Sequence, residues 1–495
     1  MPTDTCDLLI VGAGINGAGI ARDAALRGFS VIVCDRGDIA GGTSSASTKL
    51  IHGGLRYLEQ GAFRLVRESL RERETLGRIA AHLVRPQRFI VPHTGVRPAW
   101  LLAFGLWLYD FLAGASTLPR AQRLDATFPA LACLAGRVRS AHAYFDLWVD
   151  DARLTLENLI DAQAHGARVL PRCALGSVTP DADGWRCQLS GPGGDHSIRA
   201  RAVANVAGPW APQVEALRGD VEQPGVRLVQ GSHIVLDRLH EGDDAWLLQQ
   251  PDRRVVFVIP YGPDYHLVGT TETDLESPDA LGVTDAERTY LLAALSRAFG
   301  RRLGQGDIRW EFCGMRPLLA GAGSARTASR EYRLELETAP GGRHWMSVQG
   351  GKLTTYRSLA EQAVDRLAAA FGHAGQSTTA QLLLPGAEGV AADGMRTLFD
   401  GLRRDYPEFD AGWIGALLPR HGARTATLLA EATADGGAGR DFGGGLFEAE
   451  ARWCRRHEWA TAAEDVLWRR TKCGVRMSAG QRDEFVQWWG GQPPP

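Results

Sequence analysis

Lysine is nearly absent from this chain. Of 55 basic side chains only Lys49, Lys352 and Lys472 are lysines, and the other 52 are arginines. Arginine is a planar fork and lysine a compact charge on a flexible stem, so positions that keep lysine are candidates for sites needing the smaller head. Net charge is also missing: 55 basic against 57 acidic groups leave −2, too little positive field to hold a nucleic-acid backbone. Any anion must be bound locally. The eight cysteines, at 6, 34, 133, 173, 187, 313, 454 and 473, include no C-x-x-C pair, so neither a zinc site nor a disulfide framework is expected. The start MPTDTCDLLIVG carries acids where a signal peptide has a basic stretch, and a cytoplasmic location with reduced thiols is expected. No apolar run reaches the roughly 20 residues of a membrane-crossing helix. The longest, AWLLAFGLWLY at 99–109 followed by Phe111 and Leu112 beyond Asp110, reads either as a buried helix or as a helix in the membrane interface with Trp100, Trp107 and Tyr109 at headgroup level.

What is present is ordinary globular composition, 44% hydrophobic and 23% charged over 495 residues, enough for two to four domains of about 100 to 200 residues each. The short apolar run 7–11, the segment GAGINGAGIARDAALRG and the second apolar run 30–34 predict a strand, a helix and a strand. Residues 62–83 carry apolar side chains in steps of three or four among Arg and Glu, and 154–165 read as helical. From about 168 to 340 short β-rich runs such as VRLVQGSHIVL, RVVFVIPY and YHLVGTTE alternate with Gly, Pro and Asp. After GGKLTTYRSLAEQAVDRLAAAFG and the boundary LLLPG, the last hundred or so residues are helical in texture, with six tryptophans. From 386 onward that part has 14 basic and 16 acidic residues, so bulk charge gives it no attraction to an anionic membrane.

Gly12, Gly14 and Gly17 form G-x-G-x-x-G between the predicted strand and helix, and Asp35 ends the next strand 18 residues after Gly17. The first glycine allows the tight turn, the second lets the backbone approach a pyrophosphate, and the third lets helix pack on strand. The helix start around Ile15 and Asn16 offers N–H groups to the phosphates, and Asp35 suits ribose hydroxyls. An acid there favours FAD or NAD over NADP. The unit then runs into TSSASTKLIHGGLRYLE rather than into further alternating strands and helices. Its Ser44, Ser45, Ser47, Lys49, Gly53 and Gly54 offer polar contacts and close backbone approach suited to a flavin ring, so FAD is the expected cofactor, held noncovalently.

These motifs, together with WVDDARL, NVAGPW, QGSHIV, FVIPY, GMRPL, GGKLTTYR, LLLPGA and HEWATAAEDVLWRRTK, resemble the FAD-dependent glycerol-3-phosphate dehydrogenases from residue 7 to about 489, within the wider D-amino acid oxidase and glycine oxidase superfamily. The resemblance implies an α+β fold with three parts: a Rossmann-like FAD domain assembled from 1–90, 150–215 and 331–375, an antiparallel-sheet substrate domain from 91–149 and 216–330, and an all-helical C-terminal domain at 385–495. It implies oxidation of sn-glycerol 3-phosphate to dihydroxyacetone phosphate, with electrons passed to ubiquinone at the inner membrane surface, and leaves open a homodimer. One departure is mild: the second dinucleotide motif usually reads N-A-T-G-P-W, and here Val206 and Ala207 stand before Gly208.

Oxidising a secondary alcohol with a flavin needs a hydride acceptor, a group to take the hydroxyl proton and cations for the phosphate. Arg56 with Tyr57, Arg316 and Arg330 are the phosphate and oxyanion candidates. His233 and His52 are the base candidates. Lys352, with Gly351, Leu353 and Thr354, is expected to open a helix whose N-terminus faces the flavin's anionic edge. Rival readings are an oxygen-using glycerol-3-phosphate oxidase, an amine or amino acid oxidase, and a silent flavoprotein, which would be expected to lose His233, Arg316 or Lys352.

Overall fold

The computed structural model describes residues 3–492 apart from 137, 220–225, 320–330, 340 and 391–393. The first apolar run lies in the strand Thr3–Val11, flanked in parallel by Val31–Asp35 and Gly194–Asn205. The sheet order is Arg333–Ala339, Arg343–Gln349, Gly194–Asn205, Thr3–Val11, Val31–Asp35, Arg168–Pro171, with the hairpin Ala174–Asp181 and Gly184–Gly191 added beside Gly194–Asn205. Leu8 and Ile10 face a core shared with the helices Ile15–Leu26, Asp151–Ala164 and Tyr356–Phe371. Leu9 and Val11 face the opposite core with Trp185 and Trp345. Both faces are covered, which is why this strand reads as one unbroken apolar run.

The β-rich middle builds a second, ten-stranded sheet, antiparallel except where Ala245–Gln249 meets Val84–Pro92. The long strand Val226–Asp237, next to one edge of this sheet, runs antiparallel to Tyr265–Gly269 on one side and to Ile308–Leu319 on the other. The helix Asp285–Phe299, started by a capping box of Thr284 and Glu287, covers one face with Leu291, Leu295 and Phe299. The helices Phe63–Ile79 and Ala99–Ala113 cover the other. Leu50–Ile51 and Val84–Pro92, expected with the dinucleotide unit, both pair with Ser140–Val149 in this second sheet. The hydroxyl-rich loop therefore crosses from one sheet to the other.

The helix Ala99–Ala113 divides its side chains unevenly. Leu102, Leu106 and Tyr109 are buried, whereas Trp100, Phe104, Trp107 and Phe111 are 71, 53, 59 and 68% exposed. Each of the two readings of this segment holds for part of it, and Tyr109 follows the buried one: it points inward, because its hydroxyl donates to Asp146 at 2.8 Å and accepts from the Gly53 amide at 2.7 Å.

The C-terminal part, Gly394–Asp405 through Ala479–Gly490, is helical and joins the rest through buried ions. Arg153 donates to Glu458 at 2.6 Å and to Glu157 at 2.9 Å, all three fully buried, and Arg424 bridges both acids. Burial alone would raise the Glu458 carboxyl, but Arg153, His421 and Arg424 outweigh it and hold it well below its ordinary 4.5. Glu458 is thus a carboxylate whose stabilising contribution is present above its unfolded pKa and is lost as the pH falls through its lowered folded value. Glu458→Ala leaves Arg153 buried with a lost partner and should cost about 3 to 5 kcal/mol. Urea unfolding at pH 7 checks this, and a midpoint equal to the parent's would refute it.

Candidate functional site

Two adjoining cavities lie where the sheets meet. The larger, about 750 Å³, runs along the end of the first sheet. Gly14, Ile15, Asn16, Asp35, Ser44, Ala207 and Gly208, all expected at a dinucleotide, line it. Gly12 lines it too, and a Cβ there would lie 2.5 Å from the Val206 carbonyl, with φ at +115°. A Cβ on Gly17 would meet the Gly12 carbonyl at 1.9 Å, so this glycine serves the packing of helix on turn. Gly14 caps Ile15–Leu26 without a side chain, and the Ile15 amide donates to Ser44 Oγ at 2.9 Å. Asp35 accepts from the Ala13 and Gly37 amides at 2.7 and 2.8 Å, while burial raises its pKa from the ordinary 3.8. Asn16 Nδ2 donates to the Gly350 carbonyl at 3.2 Å, but its buried Oδ1 finds no hydrogen-bond partner among the described residues. A buried acceptor left unpaired calls for a ligand donor such as a hydroxyl, and the helix N-terminus beside it suits a phosphate.

The smaller cavity, about 270 Å³, is lined by Ser47, Thr48, His52, Gly54, Tyr57, His233, Thr270, Glu272, Arg316 and Thr354 among others. Gly350, Gly351, Lys352 and Leu353 line both cavities. They do not open a helix directly: Lys352 precedes a 3-10 turn, Leu353–Thr355, and the helix begins at Tyr356. The Lys352 ammonium sits 4.0 Å from the Tyr57 ring centre, a cation–π contact. Arg316 donates to Thr270 Oγ1 at 3.3 Å. The Thr354 hydroxyl bonds both the amide and the carbonyl of His52, at 3.2 and 3.3 Å.

His233, 1% exposed, stacks on Phe312 at 4.9 Å and places Nε2 3.0 Å from Thr48 Oγ1. Burial first, then the charges of Arg316 and Lys49, hold its pKa well below the usual 6.5. Its Nδ1 is buried with no hydrogen-bond partner among the described residues.

Three expected contacts are not brought to a cavity. Lys49 is fully buried and donates to both Asp151 oxygens, at 2.7 and 2.8 Å, and to the Ser45 carbonyl at 2.6 Å, because a buried ammonium needs a counter-ion. Ser45 therefore contributes a carbonyl to that lysine. Gly53 packs so closely that a Cβ would lie 2.7 Å from Leu70 and from the Tyr109 hydroxyl. Arg56 belongs to the short helix Leu55–Leu58, its side chain lying outside the description, and Arg330 falls outside the described residues. Sequence reasoning missed Thr48, Thr270 and Glu272. The last two stand in the GTTE segment, whose strand-like pattern marks burial and not which side chains meet a cavity.

The family described as FAD dependent oxidoreductase matches residues 7–357. The chain belongs to that family. A second family, the C-terminal domain of alpha-glycerophosphate oxidase, matches residues 377–483. Among curated relatives of this flavoprotein, the D-erythritol 1-phosphate dehydrogenase of Brucella abortus is 41% identical over 98% of each chain. The glycerol-3-phosphate dehydrogenase of Pseudomonas aeruginosa is 41% identical over 99% of this chain and 96% of that protein. The aerobic glycerol-3-phosphate dehydrogenase of Escherichia coli is 40% identical over 98 and 97%. The crystal structure of the Bacillus halodurans glycerol-3-phosphate dehydrogenase complexed with FAD is similar with a TM-score of 0.77 at 26% identity, covering 98% of this chain and 90% of that one. FAD is thus the cofactor of the family, and the orphaned Asn16 oxygen and glycine-walled cleft suit it.

Gly14 separates cofactor binding from folding, because a Cβ there meets only Ser44 Oγ, at 3.1 Å. Gly14→Val should purify as folded but colourless protein. Full flavin occupancy in this variant, read from absorbance near the flavin maximum, would exclude the cleft as the dinucleotide site.

Proposed function

We propose that this flavoprotein oxidises the secondary alcohol of a small polyol phosphate, foremost sn-glycerol 3-phosphate to dihydroxyacetone phosphate, and passes the electrons to a membrane quinone such as ubiquinone. The observation that carries the reading is one cavity holding Arg316, Lys352 and a buried histidine, adjoining the dinucleotide cleft along Gly350–Leu353. FAD supplies the hydride acceptor when bound. Arg316 and Lys352 are the cations for the phosphate or for the developing oxyanion, with Arg56 and Arg330 as further candidates from sequence. His233, kept neutral by burial and by neighbouring positive charge, is the candidate proton acceptor, and His52 the alternative. Arg–phosphate pairs are strong because the guanidinium fork matches two oxygens.

The acceptor and location rest on the helix Ala99–Ala113. Among the described residues no helix is long and apolar enough to cross a membrane, but the exposed Trp100, Phe104, Trp107 and Phe111 suit insertion into a lipid interface. An apolar groove of about 220 Å³ under this helix, lined by Leu58, Phe63, Leu101 and Leu108, shares Leu55, Leu247 and Val255 with the substrate cavity. That continuity supports a quinone reaching the flavin from the lipid side. A homodimer is not needed by this reading.

A second substrate is favoured by a specific observation. The D-erythritol 1-phosphate dehydrogenase is as similar to this chain as the glycerol-3-phosphate dehydrogenases are, and Glu272 in the cavity offers an acceptor for an extra hydroxyl. Anaerobic flavin bleaching by glycerol 3-phosphate, D-erythritol 1-phosphate and glycerol decides the matter. Glycerol should be slower in kcat/KM by at least about tenfold, since each charge-assisted bond contributes about 1.5 to 3 kcal/mol. Comparable values for glycerol and its phosphate would remove the phosphate site. Reoxidation by a quinone, compared with oxygen, separates dehydrogenase from oxidase.

His233→Asn should slow flavin reduction by about 10² to 10⁴, the usual cost of a lost general base. Because its pKa lies well below 6.5, the base stays unprotonated at neutral pH, and the acid limb of kcat/KM should fall well below pH 6.5. If His52→Asn slows reduction and His233→Asn does not, the base is His52.

Membrane association is checked by co-sedimentation with phospholipid vesicles. Trp107→Ser with Phe111→Ser should leave the protein in the supernatant, and undiminished pelleting would exclude this helix as the anchor.

A further inference from the structure

The C-terminal domain takes no part in the chemistry above, yet one of its side chains enters the cofactor cleft. The π-helical segment Asp465–Arg470 brings Arg469 into the cleft lining beside Arg36, Asp38 and Arg172. Single π turns of this kind are common at functional sites. Arg469 Nε donates to Asp38 Oδ2 at 2.5 Å. Arg470, 1% exposed, grips the same carboxylate with Nη1 and Nη2 at 2.6 and 2.8 Å, and donates from Nε and Nη2 to the Glu458 carbonyl. Asp38 follows Asp35 by three residues, so the two arginines hold the turn that carries the ribose-facing acid.

A second tie closes the arrangement. The Arg172 amide donates to the Gly37 carbonyl at 2.8 Å, and its guanidinium donates to Asp465 at 2.8 and 3.0 Å. Asp465 also accepts from Arg469 Nη2 at 2.5 Å and from the Thr461 and Ala462 amides. The Asp35–Asp38 turn, the Arg172 corner and the π segment thus form one ring around the ribose end of the cleft, closed by the neutral Arg172–Gly37 backbone bond and otherwise made of charge-assisted hydrogen bonds.

We infer that Arg469 is a cofactor-positioning residue and that the C-terminal domain retains the dinucleotide. The π segment fixes the Asp35–Asp38 turn from outside, and Arg469, the more exposed of the two arginines, adds positive charge facing the ADP half. This goes beyond the substrate reading and rests only on the family's FAD. The experiment uses full-length protein stripped of flavin and titrated with FAD by fluorescence quenching, and with ADP by calorimetry. Arg469→Ala should weaken both by about tenfold or more, and Arg469→Lys should recover part of the loss. Arg440→Ala removes an ion pair to Glu484 elsewhere in the same domain and should leave both affinities unchanged. Parent-like binding of FAD and ADP by Arg469→Ala overturns the inference. So does an equal loss in Arg440→Ala, which would trace the effect to general loosening of the domain. Arg469→Gln repeats the measurement should the alanine variant fail to fold.

Discussion

Two adjacent aspartates at the start of one helix tie together the parts that form the cavities. Asp151, fully buried, accepts from the Lys49 ammonium, from the Ser47 hydroxyl at 2.7 Å and from its amide at 3.1 Å. Asp150 caps the helix through the Arg153 amide at 3.0 Å and pairs with Lys472 from the C-terminal domain. Burying charges is costly unless each is paired and its remaining protons are bonded. Here two acids meet two ammonium groups, so removing any one leaves a buried charge without its partner. The hydroxyl-rich loop cannot drift from the first sheet, nor the C-terminal domain from the loop, without breaking this set.

The same interaction accounts for two of the three lysines. Lys49 and Lys472 both sit at positive φ, +61° and +58°, reaching one acidic pair where two guanidinium forks would crowd. The rarity of lysine identified special positions, but not which way each side chain points. Lys352 faces a cavity; Lys49 turns to an aspartate 102 residues away. That difference is tertiary, and no local pattern encodes it.

Legibility follows the range of the interaction concerned. Gly12, Gly14, Asp35 and Ser44 reach the cleft because their role follows from a strand, turn and helix contiguous in sequence. Gly53 stands in the same loop and serves packing against Leu70 and Tyr109, contacts created only when Phe63–Ile79 and Ala99–Ala113 fold over it. Tyr109 is buried for the same reason: Asp146, 37 residues on, bonds its hydroxyl. The helix pattern at 99–113 identifies apolar character but not which turn faces out. Thr48 and Arg469 escaped notice because each matters through a partner far along the chain, His233 in one case and Asp38 in the other.

The position of Gly350–Leu353 shows why the two sheets must meet. Gly350 and Gly351 have φ of +71° and +96°, and a Cβ on Gly351 would lie 3.0 Å from Asn16 Nδ2 and from Leu359. Only a glycine pair lets this segment run so close to the dinucleotide helix while turning Lys352 toward Tyr57 in the other cavity. Asn16 then donates to the Gly350 carbonyl and fixes that approach. One short segment thereby belongs to both walls, the glycine-rich one of the first sheet and the cationic one of the second. A ligand lying along it has backbone on one side and Arg316, His233 and Lys352 within the adjoining space, so the two cavities can only be assembled together.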